Sequence, residues 1–434
     1  MAKPRVLIIA EAANPEWVSV PLIGWSLSQA LGAVADVHVV TQIRNREALL
    51  RAGWQEGREF TAIDSEAFAR PLWRLGSALR MGEGKGWTML QAVSALSYPY
   101  FERLVWHQFG KRIAAGVFDV VHRVTPLSPT VPSLLAARCA RAGVPFVLGP
   151  LNGGVPWPKG FDAERRRERE WLSYLRGAYK ALPGRRATLR HAAAILVGSH
   201  HTESEIPTAQ RGKCVYLPEN GIDPARFSRQ ATPAPGALRA CFVGRMVPYK
   251  GGDMLLEAAA PLLQAGRMTL DMVGDGPMLP VLRAQAETLG IAQAVTFHGW
   301  LAHEDVQDVL SRAHVLSFPS IREFGGGVVL EAMALGMPAL IVDYAGPGEL
   351  VTPDVGFKVP IGTRAEIVPR FRAALEDLSE HPGKAAEAGA RARERVAAHF
   401  TWPRKAAQVA RVYDWVLGRG GKPSFFDDAP FDAP

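Results

Sequence analysis

Residues 319–334 hold two glutamates, Glu323 and Glu331, eight positions apart on either side of Gly325-Gly326-Gly327-Val328. Ionised carboxylates accept hydrogen bonds from hydroxyls, and glycines let backbone N–H groups approach a ligand closely. A carboxylate pair flanking such a turn can grip a hydroxylated molecule while the turn takes its phosphate. Glu331 falls inside the apolar run 328–334, where burying an unpaired carboxylate is costly, so a partner or ligand is expected beside it. A second cluster, residues 243–253, joins Gly244, Arg245, Lys250, Gly251 and Gly252 at a strand-to-helix turn. Two fixed positive charges beside a helix N-terminus suit a diphosphate. A third cluster, Gly274-Asp275-Gly276-Pro277, is ordinary turn chemistry by itself. It gains weight because ligands of open α/β sheets bind at the carboxyl ends of the strands, where it would face the second cluster.

Three stretches of the first half leave two readings each. His122, in Asp119-Val120-Val121-His122-Arg123-Val124-Thr125, is either a site residue at a strand end or a packed histidine. The glycines of residues 148–154 either expose backbone donors or simply form a turn. Residues 164–190 interleave many arginines with Trp171, Leu172, Tyr174, Leu175 and Tyr179. That composition suits a helix lying on an anionic membrane surface; the alternative is a solvated helix with its aromatic stripe packed inward.

Elements able to position these residues are readable from the apolar runs. In the first half, 6–10, 37–40, 120–121, 146–148, 195–197 and 215–217 are rich in Val, Ile and Leu, as are 240–243, 270–273, 295–297, 315–318 and 339–342 in the second. Continuous apolar character marks strands buried on both faces, and the helical spacing between them predicts βαβ units. The expected fold class is α/β, with two doubly wound Rossmann-like domains. The Pro- and Gly-containing stretch 229–236 reads as a linker, giving an N-terminal domain over 1–228 and a C-terminal domain over 237–402. A last helix spans 403–417, and a Gly-, Pro- and Asp-rich tail, 418–434, is expected to lack fixed structure. Residues 41–106 are hard to divide.

The chain has 434 residues, ample for two cores, and 50 basic against 42 acidic residues, a net charge of +8. The excess favours anionic small molecules or surfaces over acidic protein partners. Cys139, Cys214 and Cys241 are scattered and odd in number, which excludes a disulfide framework and points to a reducing, cytoplasmic setting. The apolar N-terminal run meets Glu11 and Asn14 without a cleavage site and reads as a first strand. No stretch approaches the roughly 20 apolar residues of a spanning helix. Nucleic acid is not expected, because no recognition motif accompanies the charge.

Together the clusters resemble the retaining glycosyltransferases of the GT-B fold in family GT4. The resemblance rests on Gly244-Arg245 with Lys250-Gly251, on 273–277, on Glu323 and Glu331, on 331–338 and the turn Ala345-Gly346-Pro347-Gly348-Glu349, and on Asn220-Gly221-Ile222-Asp223. It covers about residues 213–360; the first half is similar only in layout. The family implies two domains facing a cleft, with the last helix crossing back to the first domain. It implies that Arg245 and Lys250 hold the diphosphate of a nucleotide-sugar donor, with Gly244, Gly274, Asp275, Gly276, the glycines 325–327 and Val328 around it. Glu331 would take the ribose hydroxyls, and Glu323 would face the transferred sugar. Two departures stand out. Phe324 follows Glu323 directly, and Val124 stands where relatives carry the second histidine of a His-x-His pair, leaving His122, Arg123 or Thr125 to contact the sugar.

The implied reaction is transfer of a hexosyl group, with retention, to a glycan or lipid-linked acceptor in surface polysaccharide or glycolipid assembly. The absence of an Asp-x-Asp motif leaves the cations to neutralise the leaving phosphate, with no metal or other cofactor expected. Two rivals are a non-hydrolysing nucleotide-sugar epimerase of similar fold and a non-catalytic sugar- or nucleotide-binding module. Turnover of donor without acceptor marks the first; failure to release nucleoside diphosphate marks the second.

Overall fold

The computed structural model describes residues 3–67, 87–167 and 183–426. The chain divides into two units. Unit 1 takes Met1–Gly154, Glu170–Glu219 and Trp402–Pro434; unit 2 takes Val155–Arg169 and Asn220–Thr401.

Unit 1 contains a parallel sheet of β1 (Arg5–Ala10), β2 (Asp36–Gln42), β3 (Phe60–Ile63), β4 (Val120–Thr125), β5 (Phe146–Leu151), β6 (Ala194–Val197) and β7 (Cys214–Tyr216). Their order is β3-β2-β1-β4-β5-β6-β7. In β1, Val6 to Ala10 are fully buried, because alternate side chains serve opposite faces and both faces are covered by helices. Leu7 and Ile9 join one core cluster with Tyr98, Phe101 and Phe109 of the helix Trp87–Ala114. Val6 and Ile8 join the other, with Ala406, Val409, Val412 and Tyr413 of the last helix, Trp402–Val416.

Unit 2 contains β8 (Leu238–Val243), β9 (Met268–Val273), β10 (Val295–Gly299), β11 (Val315–Phe318), β12 (Ala339–Asp343) and β13 (Gly356–Pro360). The order is β10-β9-β8-β11-β12-β13. In each sheet the strand order reverses beside the first strand, between β1 and β4 and between β8 and β11. Chain connections leave these neighbours in opposite directions, which opens a crevice at their carboxyl ends.

β3 and β13 are the strands that the apolar runs do not reveal. Both lie at a sheet edge. β3 has only Phe60 and Ile63 buried, and β13 starts with glycine and carries Lys358, which pairs with Asp343. The proline-containing stretch read as a linker lies within unit 2, where Ala231 N–H donates to Leu335 O (2.6 Å) and Thr232 N–H to Ser311 O (2.8 Å). The described chain passes between the units instead at Gly154/Val155, Glu219/Asn220 and Thr401/Trp402. Ile222 N–H donates to Phe400 O at 2.7 Å on the unit 2 side. Lys405 Nζ donates to Pro218 O at 2.6 Å on the unit 1 side, where burial lowers its pKa to about 7.

Part of the tail is ordered against unit 1, contrary to its composition: Phe425 packs on the core and under Arg411, and Phe426 meets Tyr216 edge-on. Residues 427–434 lie outside the described residues, as do 168–182, the centre of the basic–aromatic stretch. Near its end Arg185 points inward, donating to Glu205 O at 3.0 Å. The three cysteines are free and buried, and burial raises their thiols, those of Cys139 and Cys214 to about 12. Among the described residues no helix is long and apolar enough to cross a membrane.

Candidate functional site

The crevice of unit 2 collects the clusters singled out in the second half of the sequence. After β8 the backbone runs alongside the loop after β9: Gly244 N–H donates to Val273 O (3.0 Å), Met246 N–H to Asp275 O (2.9 Å) and Met278 N–H to Met246 O (2.9 Å). Gly274 makes this approach feasible. Its φ is +130°, and a Cβ there would stand 2.0 Å from Gly244 O, far inside contact distance. The loop after β11 is tied to the same turn, because Ile321 N–H donates to Tyr249 O at 3.0 Å and Ser320 Oγ to the same oxygen at 3.3 Å.

These ties bring Lys250 and Glu323 together as an ion pair, both side chains largely buried. Lys250 also lies 4.9 Å from the Phe318 ring centre and 5.9 Å from that of Tyr249, where ring faces attract a cation. An ammonium has three N–H donors, so a carboxylate on one side leaves capacity for a second anionic partner.

Two helices begin at this place, Gly252–Gln264 after β8 and Gly327–Ala334 after β11. Their N-caps are Gly251 and Gly326, both left-handed, and neither cap provides a side-chain acceptor. First-turn N–H groups lack intrahelical acceptors, so both ends carry positive character toward the crevice. Arg245 is exposed and Glu331 half-buried, on the second turn of its helix; the apolar run around Glu331 had suggested deeper burial. Asp275 is exposed, its Oδ1 accepting from Gly276 N–H at 2.6 Å.

The turn after β12 closes on the same loop. Gly346 is pressed against Phe324, where a Cβ would meet the carbonyl oxygen at 2.0 Å. Ala345 beside it takes φ +55°, a strained conformation for a residue with a Cβ. Asn220 Nδ2 donates to Gly325 O at 2.8 Å and its side chain lies against Gly327. Asn220 was legible only as part of a signature. Tyr249, Ser320 and Arg322 carried no signal, since their roles depend on loops meeting across the sheet.

Unit 1 treats its sequence-derived candidates differently. His122 is fully buried. Its Nε2 lies 2.7 Å from Gly149 O and its Nδ1 2.7 Å from Tyr413 Oη. A carbonyl only accepts, so Nε2 donates; in the neutral ring Nδ1 then accepts from the phenol. Burial lowers its pKa to about 4. With both nitrogens used inside the core, the structure gives His122 a packing position rather than the catalytic one expected for it. Arg123 is buried as well, donating to Val131 O at 2.7 Å. Thr125 Oγ1 accepts from Ala12 N–H (3.0 Å) and donates to Ala12 O (3.1 Å). Residues 148–154 form the end of β5 and a turn in which Asn152 Nδ2 donates to Glu219 at 2.7 Å and Gly153 N–H to Asn152 Oδ1 at 2.8 Å.

Comparison with known proteins places this arrangement. Residues 225–395 match the family described as Glycosyl transferases group 1. A glycogen synthase of Mycobacterium tuberculosis is 32% identical over 197 residues, covering 45% of this chain and 47% of that protein. The chain thus spans about half the length of that relative. A GDP-mannose-dependent alpha-(1-6)-phosphatidylinositol monomannoside mannosyltransferase of the same organism is 30% identical over 304 residues, 64% of this chain and 72% of that one. Among solved structures, Anabaena HepE in complex with UDP superposes with a TM-score of 0.62 at 16% identity, covering 94% of this chain and 99% of that one. At that identity the likeness concerns the fold, which is of the GT-B type.

Proposed function

The chain belongs to the glycosyl transferases group 1 family, and we propose that it transfers a hexosyl group, with retention, from a nucleotide sugar to a saccharide or lipid-linked acceptor. Surface polysaccharide or glycolipid assembly is the setting this reaction fits. The observation that carries the reading is the Lys250–Glu323 pair at two glycine-capped helix N-termini, an anion-binding arrangement beside a hydroxyl acceptor.

In this reading Lys250, Arg245 and the first-turn N–H groups hold the diphosphate, lined by Gly244, Gly274, Asp275, Gly276, Gly325, Gly326, Gly327 and Val328. Glu331 accepts from the ribose hydroxyls, and Glu323 faces the sugar. Transfer breaks the bond between the anomeric carbon and the β-phosphate oxygen, which keeps the electron pair. The acceptor oxygen bonds that carbon on the same face, and its proton passes to the leaving phosphate. Charge grows on the phosphate as the bond breaks, so fixed cations and oriented N–H groups stabilise that stage most. Neutralisation by Arg245 and Lys250 removes the need for a metal.

Thermal-shift titration with UDP-, GDP- and ADP-sugars, followed by measurement of nucleoside diphosphate release with mixed glycan and lipid acceptors, tests the proposal. One nucleotide class should raise the melting temperature and support acceptor-dependent release. Binding without release would overturn the transferase reading, as would conversion of donor to an isomer without acceptor.

A further inference from the structure

Residues 155–167 precede most of unit 2 in sequence by more than fifty positions yet belong to it, entering just after Gly153 and Gly154. Val155 and Phe161 are fully buried and anchor the segment. Between them the chain is fixed by polar contacts: Tyr344 Oη donates to Pro156 O at 2.9 Å and Arg322 Nε to Val155 O at 3.4 Å. Gly160 lies against Thr363, and the short helix Asp162–Arg167 packs beside the turn Pro248–Lys250. Tyr249, Arg322, Tyr344 and Thr363 follow β8, β11, β12 and β13 respectively. The segment is therefore a strap across the carboxyl edge of the sheet, the edge where a ligand sits.

Trp157 is the side chain this strap brings to the site. Arg322 is buried, its guanidinium 5.1 Å from the Trp157 ring centre and 5.3 Å from that of Phe324. The indole meets Tyr249 edge-to-face at 6.1 Å and 89°, and Tyr249 in turn neighbours Lys250. Arg322 directly precedes Glu323. The indole is thus coupled to both members of the Lys250–Glu323 pair through adjoining residues, and it is only half-buried. An aromatic face offers nothing to a phosphate, whereas the C–H faces of a pyranose stack well on a ring fixed in place.

We infer that Trp157 is a specificity-determining residue that stacks on the sugar of the bound donor. This inference rests on the donor reading above and adds to it a side chain from a strap outside the matched family region, residues 225–395. Two ligand pairs separate the sugar from the nucleotide: UDP against UDP-glucose, and GDP against GDP-mannose, each measured by calorimetry on the full chain. With whichever pair binds, Trp157→Ala should hold the nucleoside diphosphate within about twofold of wild type. It should weaken the nucleotide sugar about tenfold, the size expected for one lost stacking contact. Trp157→Phe should keep most of the sugar-dependent affinity. Unchanged sugar affinity in Trp157→Ala would overturn the inference. So would equal losses for both ligands with a lowered melting temperature and no rescue by phenylalanine, which would make the indole a packing residue. Failure of wild type to bind any of the four ligands is a different result and removes the donor reading itself.

Discussion

Both sheets reverse strand order beside their first strand, yet the two crevices made by that reversal have opposite fates. In unit 2 the helices after β8 and β11 begin with glycine caps, and a lysine–glutamate pair stands at their ends. In unit 1 the helix after β4, Leu134–Arg141, begins against a carboxylate belonging to the protein. Glu102 Oε2 accepts from Leu134 N–H at 2.5 Å, and Oε1 accepts from Ser133 Oγ and, at 2.9 Å, from Tyr98 Oη. Burial raises the pKa of Glu102, while those donors and Arg123 oppose the rise. Across the same crevice Thr125 stitches β4 to the backbone of Ala12, and Gly24 is pressed onto Ala12 O. Topology thus offers an anion-binding position twice. Residue choice leaves it open in one unit and fills it internally in the other.

Substitutions can break that contrast, starting with the largest effect. Removing both cations of the open crevice, Arg245→Ala with Lys250→Ala, should lower turnover by about a thousandfold or more. Unit 2 should stay folded, judged by circular dichroism, with a lowered melting temperature because Glu323 loses its partner. Near-normal rates would mean the crevice is not where charge develops. Next, His122, packed between Gly149 and Tyr413 in the core of unit 1, should matter for stability and not for turnover. Its pKa of about 4 lies below the ordinary 6.5, so between these values the unfolded chain binds more protons than the native one. Its stabilising contribution is complete above pH 6.5 and is lost as pH falls toward 4, by about 3 kcal/mol. Urea unfolding at pH 7 and pH 4.5 should show a smaller loss in His122→Gln than in wild type, with turnover per folded molecule at pH 7 nearly retained. A large fall in turnover alone would restore a catalytic role to His122.

Glu331→Gln probes a single hydrogen-bonding charge and should weaken donor binding about ten- to a hundredfold, read by calorimetry with the nucleotide sugar. The smallest expected effect is that of EDTA, which should leave turnover essentially unchanged. Complete loss restored by Mn²⁺ would show that the two cations do not suffice.

The open crevice was the more legible because its chemistry is local in sequence. Glycines, cations and carboxylates sit within a few residues of apolar runs that mark the strands, so Gly244, Lys250, Glu323 and Gly326 could be read together. Unit 1 depends on distant partners. His122 is completed by Tyr413, 291 positions away, and no periodicity announces that pairing. Glu102 lies in a helix that carries Tyr98, Phe101 and Val105 on its buried side; one acidic residue in Tyr98-Pro99-Tyr100-Phe101-Glu102 was the available signal, and it concerned burial rather than capping. Trp157 was unreadable for a third reason. Its place depends on the chain leaving one unit for the other, and such an excursion has no local signature beyond the Gly153-Gly154 exit.

The last helix also bears on how the molecule is made. Trp402–Val416 supplies Ala406, Val409, Val412 and Tyr413 to the face of the first sheet that holds Val6 and Ile8. During translation this face has to wait, uncovered, until Trp402–Val416 has emerged, while residues 220–401 emerge earlier and can condense on their own. A message truncated before codon 402 therefore yields a sound second unit joined to a first unit with a raw apolar side, a product prone to aggregate.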